Sequence, residues 1–368
     1  MNKVRFRDIT INLDNRRKPL NSIDREKISK QKLYPYCGAN AIMDYVDEYI
    51  FDEEILCIAE DGGKWGKNED CSYIMKEKCW VNNHAHVIKV KDKVDIRYLK
   101  YWLNYNDLNS KITGAIVRKL TQKALNELEI IIPEKNEQLY ICNILDKVQE
   151  IIDIRKKQIE GLDNVIKSQF VEMFGEPIEN PKNYKIVKLS DIADYWNGLT
   201  YKPTDVNKKG TIVLRSSNIQ NFQLDYQDIV RVNCNIKEKQ YVEDNDILMC
   251  SRNGSARLVG KVAVIKDIKE KMTFGAFMMI IRSEYYSYLF SYFQTDAFRN
   301  QIKSGATTTI NQITGNMLNK IKLPLPDKDD INQFAEIVKQ IDKQKVEIQK
   351  SLEEMKKLKE SLMNKYFG

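Results

Sequence analysis

The sequence has no hydrophobic run long enough to span a membrane. No stretch approaches the roughly 18 consecutive apolar residues of a transmembrane helix, and no apolar signal segment follows the basic residues 1–7. We therefore expect a cytoplasmic protein rather than a membrane or exported one. The 368 residues, 42% of them hydrophobic, are enough for two ordinary domains with their own cores.

The sequence also lacks closely spaced cysteine pairs. The seven cysteines are an odd number scattered without a Cys-x-x-Cys pair, which favours reduced thiols over a disulfide framework. Cys71, Cys79, His84 and His86 carry atoms that can bind zinc, but their spacing fits no standard zinc finger. The sequence therefore predicts no metal site.

Motifs of several enzyme classes are absent. The segment 254–261 resembles a nucleotide-binding P-loop but is one residue too long, and Val262 stands where a magnesium-binding Ser or Thr is needed. Neither an Asn-Pro-Pro-aromatic motif nor a Gly-x-Gly after a strand is present, which disfavours a methyltransferase site. A nuclease role for Asp327, Glu354 and Lys356 is disfavoured because Glu354 and Lys356 fall on the solvated face of a predicted helix. We therefore predict a non-catalytic protein without a cofactor.

The chain does contain an internal repeat. When it is shifted by 193 residues against itself, Pro133 falls on Pro326 and Phe174 falls on Phe367, with no gap between them. The aligned blocks are 117–175 and 310–368. A repeat of this kind predicts two copies of one structural unit.

Weaker similarities extend the repeat towards the N-terminus when small gaps are allowed. Residues 52–62 resemble 244–254, and Tyr98 precedes the first block much as Tyr288 precedes the second. We predict an α+β fold in which two globular domains alternate with two long helices. The predicted domains are 1–120 and 176–313, and the predicted helical segments are 121–175 and 314–368.

The helical segments carry an apolar stripe with a period of 3.5 residues, which is typical of a coiled coil. In the first helix the stripe comprises residues 141, 145, 148, 152, 155, 159, 162, 166, 169 and 173. In the second it comprises residues 334, 338, 341, 345, 348, 352, 355, 359, 362 and 366. We expect the helices over 134–172 and 327–366, so that each has about 39 residues and a length of about 58 Å.

Such a stripe needs a partner to bury it. An antiparallel coiled coil between the two helices of the same chain, related by a pseudo-two-fold axis, is favoured by the short connection between them. Pairing with another subunit or in a homodimer is the alternative. Polar residues at stripe positions, such as Arg155 and Lys345, fix the register or show that the stripe is imperfect.

Short segments in a fixed order, together with the repeat, carry a resemblance to a known family. The segments are residues 34–40, 61–63, 80–87, 213–219, 246–254, 304–307 and 323–326. The whole chain resembles the specificity subunit of type I restriction-modification systems. Each short segment is weak alone, and their order together with the repeat makes the resemblance specific.

The resemblance implies a mechanism. Each globular domain would be a target-recognition domain that reads one half of a bipartite, asymmetric site on double-stranded DNA, and the helices would set the spacer between the halves. Two adenine-specific methyltransferase subunits and two ATP-driven restriction subunits would join the chain and would supply the chemistry. The chain itself would be a binding subunit.

DNA recognition needs cations that position phosphates and side chains that reach base edges. The net charge of +7 is compatible with a polyanion but also with an ordinary protein. In the first domain the candidates are Lys64, Trp65, Lys67, Asn82, Asn83, His84, His86, Arg118 and Lys119. In the second they are Arg215, Ser216, Ser217, Asn218, Arg252, Asn253, Ser255, Arg257, Thr308 and Asn311.

Each candidate has a purely structural alternative. The pairs at 61–62 and 253–254 are turn signals, Trp65 fits a core position, and Asn82 fits the end of a strand. Two other functions remain open for the whole chain. One is a structural adaptor that binds only proteins, and the other is a self-contained nuclease.

Overall fold

The computed structural model describes residues 2–304 and 311–368, and the chain folds as two units. Unit 1 consists of Met1–Lys157 and Gln349–Gly368, and unit 2 consists of Gln158–Ile348. Each unit contains a mixed α and β part together with one stretch from each of two long helices. Each unit thus combines stretches that are distant along the chain.

Unit 1 is built on two small sheets, a strand pair and several helices. Its strands are β1 Asn2–Arg5, β2 Thr10–Asn12, β3 Tyr34–Cys37, β4 Ile42–Val46, β5 Ile55–Ala59, β6 Ser72–Met75, β7 Trp80–Val81, β8 Ala85–Val90 and β9 Glu129–Ile132. Its helices are α1 Phe6–Ile9, α2 Ser22–Lys27, α3 Ile96–Tyr105, α4 Gln122–Asn126 and the first part of α5 Lys135–Phe174. The strand orders are β2-β8-β5-β6, β4-β3-β7 and β1-β9.

Strand β5 organises the core of unit 1. All five of its residues are buried, and it pairs antiparallel with β6 and β8. Because successive side chains of a strand point to opposite faces, Leu56 and Ile58 pack in one hydrophobic cluster with Leu99 of α3, and Ile55 and Cys57 pack in another. Each such buried side chain contributes about 1.5–3 kcal/mol.

Unit 2 has a similar composition of elements. Its strands are β10 Lys185–Lys188, β11 Asp194–Asn197, β12 Val206–Leu214, β13 Ile219–Gln220, β14 Gln223–Leu224, β15 Val230–Val232, β16 Ile247–Cys250, β17 Val262–Val264, β18 Met272–Phe274, β19 Met278–Arg282 and β20 Lys322–Leu325. Its helices are α6 Tyr286–Tyr292, α7 Asp296–Ser304, α8 Gly315–Leu318 and the first part of α9 Lys328–Phe367, joined by the second part of α5. The strand orders are β11-β19-β16-β17, β15-β12-β18, β13-β14 and β10-β20.

Strand β16 organises the core of unit 2 as β5 does in unit 1. All four of its residues are buried, and it pairs antiparallel with β17 and β19. Ile247 and Met249 pack in one cluster with Leu289 of α6, and Leu248 and Cys250 pack in another. Both units thus bury the two faces of one central apolar strand.

Helices α5 and α9 each have 40 residues. The predicted ranges 134–172 and 327–366 differ from them by one or two residues at the ends. Gly175 follows α5 with a φ of +74°, and its N–H donates to the carbonyl of Val171 at 2.7 Å, a left-handed glycine of the kind that ends helices. Among the helices of the described residues, none is both long and apolar enough to cross a bilayer.

Within unit 1, the first part of α5 packs against the last part of α9. Ile141 and Leu145 lie in one hydrophobic cluster with Met363, and Lys359 Nζ donates to Gln149 Oε1 at 2.7 Å. As the residue number rises along α5, the number of its partner falls along α9. The two stretches therefore run antiparallel.

Within unit 2, the second part of α5 packs against the first part of α9 in the same sense. The ring of Phe174 lies 5.3 Å from that of Phe334, and Lys345 Nζ donates to Asp163 Oδ1. Lys345 is only 7% exposed. Every stripe position predicted from the sequence is buried or half-buried in its unit.

An equivalent contact beside the long helices is present in each unit. The hydroxyl of Tyr98 donates to the carbonyl of Ile131 at 3.1 Å, and the hydroxyl of Tyr288 donates to that of Pro324 at 2.5 Å. Pro324 stands 193 residues after Ile131, the same shift that aligns the sequence with itself.

Candidate nucleic-acid interface

Three loops of unit 1 meet where strand β5 ends. Glu60 directly follows β5, and its N–H donates to the carbonyl of His84 at 2.9 Å. The N–H of Leu120 donates to the carbonyl of Glu60 at 2.8 Å, and Asp61 and Lys119 form an isolated antiparallel bridge. The candidates of the first domain come from three stretches that are far apart in sequence, near residues 64–67, 82–86 and 118–119, and these contacts bring the three stretches together.

An ion-pair network lies beneath these loops. Glu60 binds Arg17 at 2.5 Å and Lys119 at 2.6 Å. Burial alone would raise the pKa of Glu60, but the hydrogen bonds with Lys119 and Arg17 more than offset this and lower it below the ordinary value. The carboxylate therefore stays charged and holds the loop of Lys119 to the end of β5.

Asp14, Glu60 and His86 bring metal-ligating atoms within 4.8 Å of one another. His86 Nδ1 lies 2.6 Å from Asp14 Oδ2, and His86 Nε2 lies 2.7 Å from the carbonyl of Leu120. The other carboxylate oxygen of Asp14 accepts the N–H of Val87 at 2.7 Å. These atoms, like the Glu60 oxygens, already have partners, so the arrangement fits a structural network better than a metal centre.

Most candidates of the first domain lie at the surface around this junction. Lys64, Lys67, Asn83, His84 and Arg118 are exposed, and Lys119 is half-buried. His84 Nδ1 lies 2.7 Å from Asp61 Oδ1. Together they form a surface of cations and short polar side chains, which we call interface 1, comprising Lys64, Lys67, Asn83, His84, Arg118 and Lys119.

Three candidates of the first domain are revised because their side chains face inward. Trp65 is 3% exposed and its Nε1 donates to the carbonyl of Ala59 at 3.2 Å. Asn82 is 3% exposed and accepts the N–H of His84 at 2.8 Å, and His86 is 1% exposed within its network. Since buried polar groups are occupied by such partners, these residues support the loops and offer no face to a base.

The loops of unit 2 meet in the same manner at the end of β16. The Nδ2 of Asn253 donates to Ser216 Oγ at 3.2 Å, and its backbone N–H donates to the carbonyl of Asn311 at 3.3 Å. Arg252 and Gln312 form an isolated antiparallel bridge. The candidates carried by these loops are called interface 2, comprising Arg215, Ser216, Ser217, Arg252, Asn253, Ser255, Arg257 and Asn311.

Two atoms of interface 2 are enclosed without a partner. Among the described residues, Arg215 Nε and Ser217 Oγ are buried polar atoms that make no hydrogen bond, although the guanidinium of Arg215 also binds Asp228 at 2.7 Å. Buried polar atoms usually have a partner, so both atoms are available for a hydrogen bond with solvent or with a ligand.

One candidate of the second domain is revised and one cannot be located. Asn218 is 1% exposed; its Nδ2 donates to the carbonyls of Asp225 and Asp228, and its Oδ1 accepts the N–H of Arg215. Asn218 therefore shapes the loop and is not part of interface 2. Thr308 lies outside the described residues.

The two interfaces occupy equivalent positions. The N–H of Leu120 donates to Glu60 in unit 1, and the N–H of Ile313 donates to the carbonyl of Ser251 at 2.7 Å in unit 2. Ile313 stands 193 residues after Leu120. The carbonyl positions also correspond, because each residue directly follows the central strand of its sheet.

Sequence reasoning missed two exposed apolar residues beside these interfaces. Phe277 is 58% exposed next to Arg252, and Ile116 is 97% exposed in the loop that carries Arg118. An alignment of the two units would have identified Phe277, because it takes the place of His84. No comparable signal marks Ile116.

A family model described as "Type I restriction modification DNA specificity domain" matches residues 1–164 and 181–359. The chain belongs to this family. It is 23% identical over 381 residues to the MjaVIII type I restriction enzyme specificity subunit of Methanocaldococcus jannaschii, covering 95% of this chain and 88% of that protein.

Other members of the family match over a shorter span. The EcoKI specificity subunit of Escherichia coli is 26% identical over 196 residues, covering 50% of this chain and 42% of that protein. The match to specificity subunit S.HindORF215P of Haemophilus influenzae, at 29% identity, covers 49% of this chain and 47% of that protein. The chain thus matches about half the length of these two relatives.

A solved structure shares the fold. The crystal structure of a type I restriction-modification system S subunit from M. genitalium superposes with a TM-score of 0.62 at 14% identity, covering 100% of this chain and 96% of that one. This likeness supports a mixed α and β layout with two domains. The family membership identifies the chain as a type I specificity subunit.

Proposed function

We propose that this specificity subunit reads a bipartite, asymmetric site on double-stranded DNA, with one recognition domain for each half. The observation that carries the proposal is the convergence of the predicted DNA-contacting loops at equivalent positions of units 1 and 2. Two separate reading surfaces in one chain suit a site with two different halves.

The chemistry of the interfaces supports DNA rather than protein as the ligand. Interface 1 supplies the flexible cations Lys64 and Lys67 for phosphates, and interface 2 supplies Arg252 and Arg257. Asparagine and arginine side chains match adenine and guanine edges, respectively, in the major groove. Thr308 remains a candidate from the sequence alone.

We propose further that helices α5 and α9 form an antiparallel coiled coil with pseudo-two-fold symmetry. Two contacts support a common register: Gln149 meets Lys359 in unit 1, and Asp163 meets Lys345 in unit 2. In both pairs the two residue numbers have the same total, as one register along two antiparallel helices requires. Since these contacts lie within the chain, they favour sister-helix pairing over pairing with another subunit.

On this basis the recognition domains comprise residues 1–120 and 176–313, and the helical spacers comprise 121–175 and 314–368. The helices would set the distance between the two half-sites. Two adenine-methyltransferase subunits and two ATP-dependent restriction subunits would assemble on the chain and carry out methylation and cleavage. The chain itself would contribute no catalytic group and need no cofactor.

The methylome of a host that carries this chain with its methyltransferase partner tests the proposal. We expect methylated adenines in a motif with two specified parts separated by a fixed non-specific spacer. Deleting the chain should abolish that motif. A continuous motif, or methylation that persists without the chain, would contradict the proposal and favour the adaptor alternative.

A further inference from the structure

Phe277 is an exposed aromatic residue whose position is fixed by its backbone. It directly precedes β19, in which Met278, Met279, Ile280 and Ile281 are buried. Its carbonyl accepts the N–H groups of Ser251 at 2.9 Å and Arg252 at 3.1 Å. These bonds fix the backbone of Phe277 beside the end of β16, and 58% of the residue is exposed.

The surroundings of the ring are cationic and polar. The guanidinium carbon of Arg252 lies 5.4 Å from the centre of the Phe277 ring, within the range of a cation–π contact. Asn253 follows Arg252 in sequence and bonds to Ser216. An apolar ring is thus held among the side chains that interface 2 offers to phosphates and base edges.

Unit 1 has a ring at the equivalent position. The N–H of Glu60 bonds to the carbonyl of His84 just as the N–H of Ser251 bonds to that of Phe277, both at 2.9 Å. His84 is also exposed, but its Nδ1 lies 2.7 Å from Asp61. The same position therefore presents a polar ring in unit 1 and an apolar ring in unit 2.

We infer that Phe277 is an apolar wedge that enters a base step of the DNA half-site read by unit 2, with Arg252 supporting the ring and binding the adjacent backbone. This inference rests on the proposed function and adds a specificity-determining residue to it. Apolar side chains that enter a base step partly unstack it and kink the duplex. Pyrimidine–purine steps open most easily, so Phe277 would select such a step through its deformability.

The test uses the full-length chain assembled with the modification subunits of its own system and a duplex that carries its methylated motif. Phe277→Ala, Phe277→Leu and Phe277→Trp are compared with wild type for affinity at fixed salt and for DNA bending by fluorescence energy transfer between the duplex ends. Phe222→Ala is the matched control, because Phe222 is also exposed in unit 2 but contacts Lys167 of α5.

We expect Phe277→Ala to weaken binding about 5- to 150-fold, the range for removing an aromatic contact to a base, and to reduce the bend. Phe277→Leu should retain part of the affinity and part of the bend, since leucine can also act as a wedge. Phe277→Trp and Phe222→Ala should retain the full affinity and the full bend. In a series of duplexes that differ only at the base step that Phe277 enters, wild type should bind pyrimidine–purine steps most tightly. Phe277→Ala should bind all of them with similar affinity.

The outcomes separate the two proposals. If the wild-type complex shows no salt-dependent, motif-specific binding, the proposed function itself fails. If wild type binds specifically but Phe277→Ala binds and bends DNA equally well, only the wedge is disproved. Loss of affinity with an unchanged bend, or loss of subunit assembly without DNA, would equally overturn the wedge in favour of another contact.

Discussion

The ring of Tyr98 lies 5.2 Å from the ring of Phe367 in unit 1. The ring of Tyr288 lies 5.2 Å from that of Phe174 in unit 2. Phe367 and Phe174 are the last residues of α9 and α5. Each long helix therefore ends against the helix that covers the central sheet of one unit, α9 against α3 in unit 1 and α5 against α6 in unit 2.

We predict that this contact stabilises unit 2 strongly. Phe174 is 3% exposed and touches the rings of Phe170, Tyr288 and Phe334, so Phe174→Ala should lower the free energy of unfolding by about 3–5 kcal/mol. Urea titration followed by circular dichroism measures the change. Val346→Ala, at a 65% exposed position of α9, is the control, and an equally small effect in both variants would refute the prediction.

The ion pair between Lys345 and Asp163 should affect stability mainly when one of its charges is left without the other. Asp163→Ala leaves the buried Lys345 ammonium without its nearest carboxylate, and losing one partner of a buried pair costs up to about 3–5 kcal/mol. We expect less here, because the Asp163 side chain is 34% exposed. Lys345→Met should be nearly neutral, since it replaces the pair with an apolar contact.

The double variant Asp163→Ala/Lys345→Met completes this cycle. It should recover most of the thermal stability that Asp163→Ala loses, because no buried charge is left uncompensated. Strictly additive losses in melting temperature would mean that the two side chains do not interact.

Acid should weaken unit 1 through Glu60. The pKa of Glu60 is lower in the folded protein than its ordinary value of 4.5, so its charge stabilises the fold above about pH 4.5 and this contribution is lost as the pH falls through the folded pKa. Glu60→Gln should cost about 2 kcal/mol at pH 7, because Arg17 and Lys119 lose a charged acceptor. The difference from wild type should shrink at lower pH.

Urea midpoints measured between pH 3 and pH 7 check this dependence. Glu150→Gln, on the exposed face of α5, serves as the comparison and should follow the wild-type profile. A constant difference between Glu60→Gln and wild type across the whole range would show that the carboxylate charge is not responsible.

Lys64 should contribute to DNA affinity through a phosphate. If so, Lys64→Ala should weaken binding to all duplexes uniformly and reduce the slope of log affinity against log salt by about 1. Filter binding at several salt concentrations measures the slope. Lys30→Ala, an exposed lysine of unit 1 outside interface 1, should leave it unchanged, and an altered base preference in Lys64→Ala would instead indicate a base contact.

The sequence by itself determined the long helices and the correspondence between the two halves. A 3.5-residue period extends over residues 141–173 of α5 and 334–366 of α9. The prolines and glycines at the helix ends act locally, so the helix bounds could be predicted to within two residues. The shift of 193 residues is likewise a property of the chain alone.

Only the tertiary structure decided which loops meet and which side chains face the solvent. His86 looked like a base-reading residue because its partners, Asp14 and Leu120, are distant in sequence. Phe277 directly precedes the buried strand β19, yet 58% of it is exposed, and its carbonyl bonds to Ser251 and Arg252 of another loop. Whether a polar or apolar side chain is buried depends on partners that no local pattern specifies.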